Sequence, residues 1–138
     1  MSTLVVLDAW ALLAFLQGEE PAASRVRSLL HQARGQEVEL FVSIINLGEV
    51  VYRVGKVRGE AEAAETLAQI RRLPITIVPA SDDAVWVAVR YKMRYAISYA
   101  DAFAVATAKA LGATLATGDP ELVQLSTEVP IEELERSR

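Results

Sequence analysis

Short apolar runs rich in β-branched residues alternate along the chain with longer stretches in which apolar residues recur every three or four positions. The short runs predict buried strands, at 3–7, 38–43, 75–78 and 113–117. The longer stretches predict helices, at 9–18, 20–35, 44–57, 60–73, 81–95 and 98–112. Strands separated by helices are typical of an α/β fold, with a mostly parallel central sheet sandwiched by helices on both faces.

The end of the chain predicts a short helix at 120–125 and a strand at 127–131. Pro130 closes that strand, and because proline cannot donate to a sheet ladder we place the strand at an edge. The sequence has no internal repeat, low-complexity segment or linker. We therefore expect residues 1–138 to form a single domain.

Charge and composition exclude several kinds of protein. The chain has 14 basic and 18 acidic residues, a net charge of −4, so it is not a polybasic nucleic-acid binder. It has no cysteine and one histidine, which excludes thiolate catalysis, disulfides and zinc–thiolate sites. Carboxylates are the only abundant side chains that can hold a metal ion.

The N-terminal segment does not resemble a leader or a membrane anchor. Asp8 interrupts the apolar run that begins at Leu4, no basic flank precedes it, and no apolar run approaches membrane-spanning length. We expect a soluble protein of the cytoplasm that has no contact with a membrane.

Three aspartates stand where predicted helices begin. Asp8 separates the first strand from the first helix, Asp119 precedes Pro120, and Asp101 follows Ser98 by three positions, as in a capping box. Helix capping alone explains each of them. In a parallel sheet, however, strand ends and the following helix starts share one edge, so the three carboxylates can converge. Such a cluster is expected to hold a hard cation such as Mg²⁺ or Mn²⁺.

Glu49 belongs to the helix predicted at 44–57. A helical wheel gathers the apolar residues on one arc, which comprises Ile44, Ile45, Leu47, Gly48, Val51, Tyr52 and Gly55. Asn46 and Arg53 fall on the opposite stripe, with Glu49 at its border. An exposed ion pair between Glu49 and Arg53, one turn later, is the ordinary explanation of this acid.

Three segments together resemble the PIN domain family, and in particular the VapC-type ribonuclease toxins of toxin–antitoxin modules. They are "LVVLDAWALLAFLQGE", "VSIINLGEVVYRV" and "ISYADAFAVATAKALGATLATGDPEL", and the likeness extends over essentially the whole chain. The order and spacing of the segments carry the resemblance, since each alone is a weak signal.

The resemblance implies an endoribonuclease that hydrolyses RNA phosphodiester bonds with Mg²⁺ or Mn²⁺. By this resemblance, the four catalytic acids of the family correspond to Asp8, Glu49, Asp101 and Asp119. Asp8, Asp101 and Asp119 are the expected metal ligands. Glu121 matches a further acid of many members and is expected in an outer shell. Thr117 is expected to orient Asp119 through its hydroxyl.

The sequence departs from the family pattern at two positions. Trp10 stands where relatives commonly have a small hydroxyl residue, and it cannot supply that hydrogen bond. Packing explains it best, although stacking on RNA is an alternative. Leu122 stands where an aromatic residue is common, which affects packing more than chemistry.

The same resemblance implies two protein partners, a cognate antitoxin and a second copy of the chain in a homodimer. The apolar first helix, with Trp10, Leu13 and Phe15, is a candidate docking surface for an antitoxin helix. Basic residues that could contact RNA are scattered over three clusters, which are Lys56 with Arg58, Arg71 with Arg72, and Arg90 and Lys92 with Arg94.

Two other functions fit parts of the pattern. One is a catalytically silent PIN-like domain that binds RNA or a protein, although the presence of all four acids argues against it. The other is a magnesium-dependent α/β protein such as a phosphoacceptor domain or phosphatase. Those proteins need a second acid near the first strand, and "LDAW" offers Asp8 alone.

Overall fold

A sheet of five strands forms the centre of the molecule, and every neighbouring pair of strands is parallel. The computed structural model describes residues 2–137. The strand order is β3-β2-β1-β4-β5, and the strands are β1 (Thr3–Leu7), β2 (Val38–Ser43), β3 (Ile75–Val78), β4 (Thr114–Thr117) and β5 (Ile131–Glu133). The predicted α/β fold with a parallel sheet is confirmed.

Helices connect the strands and cover both faces of the sheet. They are α1 (Ala9–Gln17), α2 (Ala22–Arg34), α3 (Ile44–Arg58), α4 (Glu60–Arg71), α5 (Asp82–Arg94), α6 (Tyr99–Leu111) and α7 (Pro120–Val123). Gly18 ends α1 in the left-handed region at φ 68°, as its position predicts. Within residues 2–137, no helix has the length and apolar character needed to cross a bilayer.

The two sides of the sheet form two apolar clusters. Val5 and Leu7 of β1 point to one side and pack with helices α1 to α4. Val6 points to the other side and packs with α5, α6 and α7. This alternation follows from the pleat of a strand that is buried on both faces.

The position of β1 determines where the acids meet. It lies between β2 and β4, and Leu7 at its end is paired with Ala116 in β4. The connection from β1 leads to one side of the sheet and β4 comes from the other, so a crevice opens at the carboxyl ends of these two strands. Asp8 follows the end of β1 directly, and Asp119 follows the end of β4 after Gly118.

The last strand differs from the prediction. It runs from Ile131 to Glu133 and follows Pro130, whereas the strand was predicted at 127–131. Pro130 cannot donate, but its carbonyl accepts a hydrogen bond from the backbone N–H of Leu115 at 2.9 Å, so pairing with β4 begins there. The placement of this strand at the sheet edge was right.

Candidate active site

Asp8 lies at the end of the central strand and is 1% exposed. Its Oδ1 accepts a hydrogen bond from the backbone N–H of Ala11 at 2.8 Å, which makes it the N-cap of α1. Its Oδ2 accepts the hydroxyl proton of Thr117, the last residue of β4. Both oxygens are thus held in fixed positions by the protein itself.

Thr117 connects the first acid to the last. Its Oγ1 donates to Asp8 and also accepts from the backbone N–H of Asp119 at 3.1 Å. Asp119 in turn caps α7 through its Oδ1, which accepts from the N–H of Glu121 at 2.9 Å. The Thr117 hydroxyl therefore contacts Asp119, as predicted, but it does so by accepting from the backbone N–H of that residue. The hydroxyl donates its own hydrogen bond to Asp8.

Asp101 enters the same region from the first turn of α6. Ser98 caps the helix, and its Oγ accepts the backbone N–H of Asp101 at 3.1 Å. Carboxylate oxygens of Asp101, Asp119 and Glu121 lie within 4.8 Å of one another. Glu121 was expected in an outer shell, but the structure places it in this close group.

Asp8 does not belong to that close group in the described part of the chain. Its two oxygens are engaged by Ala11 and Thr117, which hold the carboxyl back at the strand end. It is nevertheless near enough for the charges of Asp101 and Asp119 to act on it. Of the predicted acids, Asp101 and Asp119 therefore belong to the close group, and Asp8 is buried behind them.

The pKa values of two acids reflect this crowding. Burial raises the pKa of Asp8 to about 7, with the negative charges of Asp101 and Asp119 adding to the rise and the hydrogen bonds from Thr117 and Ala11 opposing it. Burial, followed by the charge of Asp119, raises the pKa of Asp101 to about 6. Without a cation, Asp8 therefore loses its proton near neutral pH, and Asp101 loses its proton at a lower pH.

Glu49 approaches the site from α3. Its Oε2 accepts from the Arg53 guanidinium at 2.9 and 3.1 Å, so the predicted ion pair is present. The Arg53 side chain is 56% exposed, as in a surface pair, but the Glu49 side chain is only 15% exposed and lines the same cavity as Asp101 and Asp119. Its Oε1 is buried and has no hydrogen-bond partner within residues 2–137.

Asn46 was not recognised as important from the sequence. The helical wheel placed it on the solvent stripe of α3, whereas in the structure Asn46, Leu47 and Val50 are the buried residues, and Ile44 and Tyr52 are exposed. The wheel assignment was wrong because α3 packs against α6 as well as the sheet. Asn46 Nδ2 donates to the carbonyl of Ala100 at 2.9 Å, next to Asp101.

Three of the acids line one cavity of about 700 Å³. Its lining combines Glu49, Asp101 and Asp119 with Trp10, Tyr52 and Arg53. Trp10 therefore faces the acids. It is not among the residues that line the neighbouring groove in which Leu13 and Phe15 take part.

The donor set fits a hard divalent cation. All the donors are carboxylate oxygens, the kind of ligand that Mg²⁺ and Mn²⁺ prefer. Burial raises the pKa of Asp8, and Glu49 Oε1 is a buried acceptor without a partner, so the protein by itself leaves negative charge and acceptor capacity unbalanced. A cation bound among these carboxylates would balance the negative charge and provide a partner for the free acceptor.

Comparisons with known proteins identify the family and the fold. The sequence profile of the PIN domain matches residues 5–127, and the chain therefore belongs to the PIN domain family. A search of curated proteins finds no match.

Solved structures of VapC-type toxins have the same fold. VapBC2 from Rickettsia felis, bound to a promoter DNA fragment, matches with a TM-score of 0.75 at 16% identity, over 96% of this chain and 100% of that one. DNA-bound VapBC from Salmonella typhimurium matches with a TM-score of 0.72 at 14% identity, over 96% of this chain and 98% of that one. VapC20 from Mycobacterium tuberculosis, a toxin that cleaves the sarcin–ricin loop, gives 0.69 at 14%, over 87% and 93%. At these identities the likeness shows the fold alone.

Proposed function

We propose that this PIN domain protein is a metal-dependent endoribonuclease of the VapC type. The observation that carries the proposal is the convergence of carboxylates from two helix starts, since Asp101 at the start of α6 lies within 4.8 Å of Asp119 and Glu121 at the start of α7. Membership of the PIN family supports it, as does the fold it shares with VapC20, a toxin that cleaves the sarcin–ricin loop. An RNA phosphodiester is the proposed substrate.

Each acid has a proposed role. Asp8, Asp101 and Asp119 are the proposed metal ligands, Glu49 completes the catalytic set, and Glu121 is added because of its proximity. A cation held there supplies positive charge for the phosphate oxygens in the transition state and makes the attacking water more acidic. The protein's own contribution is to position the carboxylates on rigid helix starts, where a bound cation would hold them in the ionised form.

Cleavage of a labelled single-stranded RNA by the purified protein tests this function. We expect cleavage with Mg²⁺ or Mn²⁺, none with a chelator, and only background with Asp101→Asn. Asp83→Asn is the matched control, since Asp83 occupies the first turn of α5 as Asp101 does in α6, but is exposed. Equal activity of wild type and Asp101→Asn would contradict the proposal.

We further propose that an antitoxin controls the enzyme by binding a groove beside the site. The groove has a volume of about 640 Å³ and lies between the end of α1 and the hairpin of α3 and α4. Leu13, Phe15, Leu16, Val54 and Val57 contribute apolar surface to it. It shares Leu13, Tyr52 and Arg53 with the acidic cavity, so a bound segment reaches the catalytic acids.

Charge favours one kind of occupant. Arg53, Lys56 and Arg58 line the groove against a single acid, Glu62. An amphipathic helix with an apolar face and acidic neighbours complements that surface. Several of the solved relatives are toxin–antitoxin complexes, which is consistent with a partner of this type.

Co-purification from the native host tests the groove. Val57 is 83% exposed, so Val57→Glu changes the groove without disturbing the core. We expect this variant to lose a small partner that wild type retains, whereas Ala110→Glu, at the exposed end of α6, retains it. Retention of the partner by both variants would show that the groove is not the docking site.

A further inference from the structure

Trp10 is in close contact with the turn that carries Asp119. Gly118 lies between Thr117 and Asp119, and a Cβ at that position would lie 2.3 Å from Cη2 and 2.4 Å from Cζ2 and Cζ3 of the Trp10 ring. Non-bonded atoms this close cannot coexist without a shift, since real Cβ contacts are not under 3.0 Å. The indole of Trp10 therefore occupies the space that any side chain at position 118 would need. The absence of a side chain at Gly118 lets the ring reach the turn.

The ring is itself held in place. Trp10 belongs to the first turn of α1 and packs against the apolar core on that side of the sheet. The Arg136 guanidinium lies over it, 5.7 Å from the ring centroid, and Arg136 also pairs with Glu19 at 3.7 Å. The C-terminal segment is anchored nearby, where the N–H of Ser137 donates to the carbonyl of Glu20 at 2.8 Å.

The side-chain hydrogen bonds of this turn restrain Thr117 and Asp119 but not Gly118 between them. Thr117 fixes the N–H of Asp119, and Asp119 caps α7, but among residues 2–137 no side chain forms a hydrogen bond with Gly118 itself. Contact with a rigid aromatic ring is the restraint available at that residue. The same helix start also holds Asp8, so Trp10 links the positions of the two acids.

We infer that Trp10 is a positioning residue, whose ring sets the place of Gly118 and, through it, of the Asp119 carboxylate in the cation-binding group. The inference rests on the proposed function, because it assigns Trp10 a role in the geometry of the proposed metal ligands.

A double-mutant cycle with Mn²⁺ as the probe tests this role. Trp10→Ala, Gly118→Ala and the double variant are compared with wild type by titration with Mn²⁺ alone, on protein whose folded state is verified by circular dichroism. We expect each single variant to bind Mn²⁺ about tenfold more weakly, as for the loss of a group that supports a ligand. The double variant should bind no more weakly than Trp10→Ala, because the added Cβ then has room.

Packing without a positioning role gives a different result. In that case Trp10→Ala lowers the unfolding temperature, but the folded protein keeps wild-type affinity for Mn²⁺, which overturns the inference. Fully additive losses in the double variant overturn it as well. If Trp10→Ala does not fold, Trp10→Leu replaces it, since leucine keeps apolar packing in α1 and lacks the outer ring atoms.

The wild-type titration separates the two proposals. Wild type that binds no Mn²⁺ overturns the proposed metal-dependent function and this inference together. Wild type that binds Mn²⁺, with variants of unchanged affinity, overturns the role of Trp10 alone.

Discussion

Asp8 and Asp101 titrate far above an ordinary aspartate, with pKa values of about 7 and about 6. Asp8 caps α1 and Asp101 lies in the first turn of α6, and both lie near other carboxylates. Each residue therefore belongs both to a helix start and to the acidic site. A carboxyl whose pKa is raised in the folded state binds its proton more tightly there than in the unfolded chain. Its contribution to stability is full at low pH and is lost as the pH rises through the folded pKa.

The first prediction concerns stability against pH in the absence of metal. The contribution of Asp8 should be lost between its ordinary value of 3.8 and about 7. Asp8→Asn lacks this titration, so the variant should become more stable than wild type as the pH rises, by an amount on the order of a few kcal/mol at neutral pH. Thermal unfolding of both proteins from about pH 4 to about pH 8 measures the difference.

Addition of Mg²⁺ or Mn²⁺ provides the control for that experiment. Metal should stabilise wild type increasingly toward higher pH, because binding requires the ionised carboxyls, and should stabilise Asp8→Asn less. Curves for the two proteins that stay parallel over the whole range, without metal, would show that Asp8 is not protonated near neutrality.

The hydroxyl of Thr117 gives a second prediction. It donates to Asp8 and so opposes the rise in pKa of that carboxyl. Thr117→Val removes the donor, and we expect Mn²⁺ binding to weaken about tenfold and to need a higher pH. Thr117→Ser keeps the hydroxyl and should bind at the wild-type pH. Mn²⁺ titrations at several pH values separate the two, and identical profiles would exclude the role of the hydroxyl.

At the level of elements, the site depends on how α3 lies against α6. The sequence predicted both helices and the acid that each carries, because apolar spacing and capping residues are local signals. It did not predict which face of α3 is buried, since that depends on the partner helix. Asn46 is the result: it looked solvent-facing on a helical wheel, yet it is buried and bonded to the carbonyl of Ala100.

Asn46 gives the prediction for this scale. Its bond to Ala100 ties the helix of Glu49 to the helix of Asp101. Asn46→Val replaces the amide with an apolar side chain of similar size. The unfolding free energy should change by only about 1 kcal/mol, because the substitution also removes the buried Asn46 Oδ1, which has no hydrogen-bond partner among residues 2–137. RNA cleavage and Mn²⁺ affinity should fall more than this change explains.

Val50→Ala is the matched control, since Val50 is buried on the same helix one turn further. It should lower the unfolding temperature and leave the Mn²⁺ affinity of the folded protein unchanged. A larger loss of affinity in Val50→Ala than in Asn46→Val would mean that general destabilisation of α3, and not the tie to α6, controls the site.

In the whole molecule, the strand order decides which acids meet. Alternation of strands and helices predicted the α/β class and the edge at which Asp8 and Asp119 lie. The adjacency of β1 and β4 is a property of the folded chain, because it joins residues more than one hundred positions apart, such as Leu7 and Ala116. The close approach of Glu121 follows from the same tertiary arrangement, so the sequence indicated it only through the family resemblance.

The surface of the whole molecule gives a prediction about assembly. Trp86 and Met93 on α5 are 57% and 74% exposed, and Tyr99 at the start of α6 is 46% exposed. Trp86 and Met93 are seven positions apart and so lie on the same side of α5, and large apolar side chains exposed together mark protein interfaces. We expect the chain to form a homodimer through this face and Trp86→Lys to be monomeric in sedimentation analysis. A monomeric wild type would contradict the expectation.

The most direct test of the central claim is to map new RNA 5′ ends in total RNA of the source organism after incubation with purified wild type or Asp8→Asn. With Mg²⁺ or Mn²⁺ present, we expect discrete new ends with wild type alone, which disappear when a chelator is added. Such ends would also identify the target. Absence of new ends, in protein verified to be folded and free of bound antitoxin, would contradict catalysis and favour a domain that binds without cutting.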